Sequence, residues 1–320
     1  VLDAPGRTDF VRYVVLIFKL LIIPIGLGVL ATEVVNDPRL GLANMDPRAL
    51  VAALVINQVA LLLFAVRMQL ALRVFGVVLT VAQSLRVHLQ SMFYFFVLPM
   101  TVGLEVARFT KIRNMVGDKA NAGALTYALL ADRLVGALAA LILAFALLPF
   151  IDLKSLIGWG GSAPWLLWGA AGIGVALLLS VRNRIRRHMK EVLDLCRSGR
   201  RGLAASFVVA ILTHCCFAFG IHLAAVGANV QIGFLQTLFA ISAAMLFVVF
   251  PVSFAGVTPV EAAGLGVLVA MGIPVDQAAI FVLLSYLAKL VAAFEGGGWE
   301  MCEGGGHASR LFFAKDKPKP

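Results

Sequence analysis

The chain has 320 residues and a mass of 34.1 kDa, with 61% hydrophobic and 14% charged residues and a mean hydropathy of +0.96. Globular domains carry about 45–50% apolar and about 25% charged residues, so the excess apolar surface here faces lipid, which excludes a cytosolic enzyme and a nucleic-acid-binding domain. The 27 Lys and Arg against 17 Asp and Glu leave +10, an excess that in a membrane protein is first a signal of topology.

A spanning helix needs about 20 mainly apolar residues. Residues 11–32 form the first such stretch, too long for a secretory signal core and without a small-residue cleavage pattern after it. Residues 49–66 form the second. Segment 67–86 then carries Arg67, Arg73 and Arg86 with no acid, and segment 107–120 carries Arg108, Lys111, Arg113 and Lys119 against Asp118. Basic flanks belong in the cytoplasm. The apolar stretch between them, 87–106, contains Pro99 and Gly103 and ends on Glu105, and must enter and return on one side. It is predicted as a re-entrant hairpin turning near Leu98 and Pro99.

Residues 121–150 and 164–181 are the next two spans, the latter opening with the interfacial pair Trp165 and Trp168. The loop 182–202 has eight basic and two acidic residues and is predicted to be cytoplasmic. Residues 203–228 and 277–295 complete six spans. Between them, 234–272 is too long for one span and is broken by Pro251, Gly256 and Pro259. The loops on both its sides, 229–233 and 273–276, are neutral or slightly acidic, as outer loops are, so this stretch is predicted as a second hairpin entering from outside. The expected fold is an all-α polytopic membrane protein with about six transmembrane helices and two oppositely oriented re-entrant helical hairpins. Both termini lie in the cytoplasm, with one membrane domain over 1–296 and a flexible tail over 297–320. Broken elements approaching from opposite faces suggest a shared midplane cavity; tilted, Pro-kinked helix pairs are the alternative.

Few charges fall at membrane depth: Lys19, Glu105, Asp132, Arg133, Glu261 and Lys289, with Arg108 at a hairpin's exit. Each unpaired charge at a span centre costs about 2.5–3.5 kcal/mol on insertion scales, so these groups must be paired or hydrated. Glu105 and Arg108 share a helix face at i,i+3, whereas Asp132 and Arg133 point about 100° apart and need partners elsewhere. The expected arrangement is crosswise, with Arg108 and Arg133 neutralising Glu105, Asp132 and Glu261 around one cavity. Two roles stay open for the cluster, a substrate site and an ion-pair network that locks the bundle. Lys19 and Lys289 are expected to snorkel to an interface.

His214 and His222 lack a third ligand and read as packing residues, so no metal is expected. Cys196, Cys215, Cys216 and Cys302 show no paired spacing. No nucleophile elbow, phosphate-cradling Gly-rich loop or His/Glu metal motif is present, so neither an enzyme nor a cofactor is expected. The C-terminal EGGGWEMCEGGGH run reads as linker, and the final KDKPKP as a basic tail against anionic headgroups.

The stretch from Arg67 to Gly117, followed by ALLADRLVGALAALILA and later by FPVSFAGVTPVEAAGLGVLVAMGIP, resembles the flippase-like transmembrane region of the bacterial lysylphosphatidylglycerol synthases and their stand-alone relatives. The resemblance is carried by Pro99, Gly103, Glu105 and Arg108, by the Asp132-Arg133 pair, and by the Pro251-to-Glu261 pattern. Leu104 stands where the family has a second Gly, and Thr258-Pro259 where a Gly is commoner. The resemblance implies a protein of the bacterial inner membrane that moves a charged-headgroup lipid, a phospholipid or a polyprenyl-linked or hopanoid-related lipid, between leaflets. It implies that Glu105, Arg108, Asp132, Arg133 and Glu261 line the headgroup path, with hairpin turns at Pro99, Gly103, Pro251, Gly256 and Pro259. No soluble synthase domain follows the last span, so the chain is not expected to make the lipid itself. Expected partners are membrane lipids, anionic on the cytoplasmic face. The alternative function is a non-transporting subunit or scaffold of a lipid or envelope biosynthesis complex, and a membrane-complex partner or homo-oligomer is compatible with either.

Overall fold

The computed structural model describes residues 45–97, 102–117, 121–151, 199–249 and 257–302. The predicted spans at 11–32 and 164–181, most of loop 182–202, and Lys19, Pro99, Pro251 and Gly256 lie outside the described residues. What is described is helical: α1 (Pro47–Val74), α2 (Val81–Val97), α3 (Val102–Val116), α4 (Ala122–Leu147), α5 (Arg200–Gly227), α6 (Phe234–Ala244), α7 (Pro259–Ala270) and α8 (Val275–Cys302). Helices α1, α5 and α8 have 28 residues each, and α4 with its following 3₁₀ turn has 29. At 1.5 Å per residue they reach about 42 Å, more than the roughly 30 Å of a bilayer's hydrocarbon. Their outer faces expose large apolar side chains such as Val51, Phe145, Val208 and Phe294. The protein is a multi-pass membrane protein.

Local chemistry sets the helix starts. Asp46 caps α1 through its side chain and Pro47 occupies the first turn, where its missing N–H costs nothing. Thr80 and Gln83 bond reciprocally at the start of α2, and Asn121 caps α4. Thr258 caps α7, with Pro259 in its first turn. Side-chain oxygens thereby satisfy N–H groups that no helical carbonyl can reach.

Helices α1 and α5 lie side by side on rows of small residues, including Ala53, Ala60 and Ala65 on one and Ala210, Ala218 and Ala225 on the other, all buried. In a bilayer, where lipid is as apolar as the partner helix, such close backbone approach is what holds helices together. Two apolar clusters fix the ends of the bundle. One joins the ends of α1 and α3 to the starts of α2 and α4, through Leu72, Val77, Val87, Ile112 and Leu125. The other gathers the start of α1 and the ends of α4 and α5 around Ile232, Ile273 and Ala278. The α2–α3 pair therefore opens at the first end and the α6–α7 pair at the second. Each of the two broken stretches contributes a pair of helices, and the two pairs have their outer ends at opposite ends of the described bundle.

Three expected boundaries move. The second span does not stop at residue 66: α1 continues to Val74 and absorbs Arg67 and Arg73, because Arg67 finds a carboxylate inside the bundle instead of water. The segments 67–86 and 107–120 are accordingly mostly helix rather than loop. Gly103 and Pro259 sit in the first turns of α3 and α7, not at the turn of a hairpin. The flexible tail expected from residue 297 is helical to Cys302. There α8 rests directly on α2: a Cβ on Gly296 would overlap the Leu89 carbonyl, and one on Gly297 would sit 3.1 Å from the Phe93 ring. Glu300, beyond them, is buried. It accepts hydrogen bonds from Tyr94 at 2.9 Å and Lys111 at 2.5 Å, which ties α8 to both helices of the first pair.

Candidate functional site

Arg67 on α1 projects toward α4 and donates from Nε and Nη2 to the two oxygens of Asp132, at 2.8 and 3.0 Å. This bidentate fork is the strongest geometry an arginine and a carboxylate can adopt. It is sealed, with the side chains 7% and 1% exposed. Space for it comes from Gly136, one turn beyond Asp132, where a Cβ would stand 2.7 Å from Arg67 Nη1. The carbonyl of Gly136 in turn bonds His214 Nε2 at 3.1 Å.

Arg108 on α3 is the hub between α2 and the charged cluster. Its Nε donates to Ser91 Oγ at 3.2 Å, its Nη1 to Glu105 Oε1 at 3.2 Å and its Nη2 to His88 Nδ1 at 2.8 Å, while Nη1 stands 4.0 Å from Asp132. Ser91 donates its own proton to the His88 carbonyl at 2.7 Å. Glu105 Oε1 also accepts from Arg133, at 2.7 Å from Nε and by a second, shorter contact to Nη2. This pair is the open one: the Glu105 and Arg133 side chains are 30% and 33% exposed.

Glu261 stands apart. One oxygen, Oε2, accepts from both the backbone N–H and the hydroxyl of Thr258 at 2.6 Å, completing the cap of α7, and the other pairs with Lys289 on α8. The expected crosswise pairing thus forms for Glu105 with Arg108 and Arg133. Asp132 takes Arg67 as its main partner, and Glu261 takes Lys289 rather than an arginine. Lys289 is not a snorkelling residue, because Glu261 lies within its reach inside the bundle.

The cations of these pairs converge. A cavity of about 180 Å³ opens between the two helix pairs and is lined by Arg67, Arg108, Arg133 and Lys289, together with His88 and His214. Asn57 and Thr258 add polar groups, and Leu61, Phe64, Phe95, Leu104 and Phe217 supply apolar wall. No carboxylate is among the lining residues described; Glu105, Asp132 and Glu261 hold the cations from behind. Four cations face three carboxylates, so the cluster keeps one positive charge in surroundings that are largely apolar. A second, smaller cavity of about 50 Å³ lies beside it, with Glu261 and Ser285 in its wall and Lys289 common to both.

Of the residues the sequence pointed to, Arg108 and Arg133 line the larger cavity, Glu105 and Asp132 support it, and Glu261 reaches it through Lys289. Arg67, His88 and His214 were missed as site residues. One signal was present for Arg67: Asp132 has no cation three or four residues away on its own helix, so its partner had to come from another span. Arg67 is the only charge between Ala49 and Leu72.

No curated protein and no solved structure matches the chain. The family described as the lysylphosphatidylglycerol synthase TM region matches residues 16–294, which takes in α1 to α7, most of α8 and every charged residue of the site. The chain belongs to the lysylphosphatidylglycerol synthase transmembrane-region family.

Proposed function

We propose that the protein is a lipid translocase of the bacterial inner membrane, one that passes a phosphate-bearing headgroup between leaflets while the acyl chains stay in the bilayer. The observation that carries this is the cavity: lined by four cations, with their carboxylates set behind, and walled elsewhere mainly by apolar side chains. Such a surface suits an anion that arrives attached to a hydrocarbon, since a guanidinium fork matches phosphate oxygens and the apolar wall tolerates the glycerol and upper chain. The exposed Glu105–Arg133 pair is the entry point. A phosphate displaces the Glu105 carboxylate from Arg133, and the buried Arg67–Asp132 fork keeps the geometry while this exchange occurs.

The helix pairs α2–α3 and α6–α7 serve as re-entrant hairpins, from the inner and outer face respectively, so the cavity between them is reached from each leaflet in turn. Both termini are cytoplasmic, and the basic loop 182–202 gathers anionic lipid at the inner surface. No covalent step is required, and with no nucleotide-binding motif in the sequence movement is proposed to run downhill or to be coupled to an ion, with Glu105 or Glu261 as proton carrier.

The test is leaflet-resolved movement of fluorescent phosphatidylglycerol in proteoliposomes. Arg133→Ala and Glu105→Gln are each expected to slow it at least tenfold; rates equal to the parent's would show that headgroups do not use this path.

A further inference from the structure

His88 holds an unusual position in the cluster. It is 5% exposed, its ring stacks on Phe64 at 5.2 Å with an interplanar angle of 15°, and the same Phe64 ring carries the Arg67 guanidinium at 5.0 Å. The imidazole is therefore held flat beside Arg67 and Arg108, and it lines the cavity. Its hydrogen-bonding state follows from its partner. Arginine has five donors and no acceptor, so the 2.8 Å contact from Arg108 Nη2 to His88 Nδ1 makes Nδ1 the acceptor and places the ring proton on Nε2. No described residue bonds Nε2, and it is not among the sealed polar atoms that lack a partner. That leaves one N–H, rigidly oriented and uncharged, at the wall of a cavity whose charged donors are Arg67, Arg108, Arg133 and Lys289.

We propose that His88 is a headgroup-contacting residue: its Nε2–H donates to a phosphate oxygen of the lipid in the cavity while its Nδ1 holds Arg108 in place. A fifth cation here would crowd Arg67 and Arg108 and raise their mutual repulsion. A neutral donor adds a hydrogen bond to the anion without that penalty, and the stack on Phe64 means that little freedom is lost when the bond forms. The inference rests on the lipid-phosphate reading above and names one of the groups that would read the phosphate.

The two ring nitrogens can be separated by substitution. In His88→Asn the amide oxygen takes the place of Nδ1, keeping the acceptor for Arg108 and deleting the donor at the ε position. In His88→Gln the amide nitrogen takes the place of Nε2, keeping the cavity donor. The full-length protein in detergent is titrated with dioctanoyl phosphatidylglycerol by calorimetry. His88→Asn is expected to weaken binding about tenfold, the loss of one hydrogen bond to a charged group, and His88→Gln to stay within about twofold of the parent.

The reverse order, equal loss in both variants, no loss in either, or no binding by the parent would overturn the contact. Inorganic phosphate titrated in place of the lipid separates a headgroup from a free anion, and binding as tight as the lipid's would overturn the lipid assignment. The Asn and Gln pattern supports the contact whether or not the lipid then crosses, so a failure of translocation in proteoliposomes is told apart from a failure here. Should either variant not fold, ¹⁵N-histidine spectra of the parent decide. The His88 Nε2 resonance shifts when phosphatidylglycerol is added, and an unmoved resonance rules the contact out.

Discussion

Arg67 and Asp132 separate what the site needs for folding from what it needs for chemistry. Both are buried and locked in a two-point fork, so removing one leaves the other's charge stranded. Breaking a buried pair from one side costs about 3–5 kcal/mol, whereas replacing both partners with apolar groups of similar size is often neutral. Asp132→Ala is therefore expected to lower the melting temperature of the detergent-solubilised protein sharply, and Arg67→Met combined with Asp132→Leu to recover most of the loss. If the cluster also recognises headgroups, the rescued double variant stays stable but moves lipid slowly, because one of the four cavity cations is gone. A double variant both stable and fully active would make the fork a structural lock only. Glu105 and Arg133 behave differently: each is about one-third exposed, water screens their attraction, and their loss falls on lipid movement more than on folding.

At the scale of elements, the seam between α2 and α8 shows where helix packing is exacting. A Cβ on Gly296 would overlap the backbone of Leu89, which cannot rotate away as a side chain could, whereas a Cβ on Gly298 meets nothing within 4 Å. Gly296→Ala is expected to destabilise the protein by about 1–3 kcal/mol through overpacking. Gly298→Ala is expected to be neutral or to stabilise by up to about 1 kcal/mol through helix propensity. Thermal melts of the two single variants check the difference, and equal shifts would mean that α8 does not seat on α2 as described. The same seam explains a limit of reading sequence. The apolar runs behind α1, α4, α5 and α8 were long enough to be recognised as spans from length alone. The extent of α8 was illegible, because GGG beside Trp299 and two acids has the composition of a linker. Its helical state comes from contacts with Leu89, Phe93, Tyr94 and Lys111, all distant in sequence. Arg67 was hidden for a related reason: a charge at the end of an apolar run marks a loop unless its partner is known, and Asp132 is 65 residues away. Glu105 with Arg108 was legible because i,i+3 pairing is local.

Over the molecule as far as it is described, charge is sorted by end. The end where α1 and α3 finish and α4 and α5 begin carries Arg73, Arg113, Arg200 and Arg201, and Arg86 and Trp299, in contact at 5.8 Å, lie toward it. The opposite end, marked by the hydrogen bond from the Asp46 N–H to the Gly227 carbonyl at 3.0 Å, carries Arg48 against Asp46 and Asp276. A bias of this size in short loops sets orientation by retaining basic segments in the cytoplasm. In the proposed orientation the basic end is inside, α2–α3 opens inward and α6–α7 opens outward, and the cationic cavity lies between two helix pairs that face different leaflets. The prediction is testable with single cysteines introduced after the native ones are replaced by serine. Arg201 lies on the exposed start of α5, and Gln231 on the exposed link after its end, so the two positions report opposite ends of one helix. In intact spheroplasts a membrane-impermeant maleimide is expected to label Gln231→Cys and to spare Arg201→Cys until the membrane is permeabilised. The reverse pattern would invert the protein and make the α6–α7 pair the inner one. Labelling of both positions without permeabilisation would mean that α5 does not cross the membrane, and the cavity could then not lie between leaflets at all.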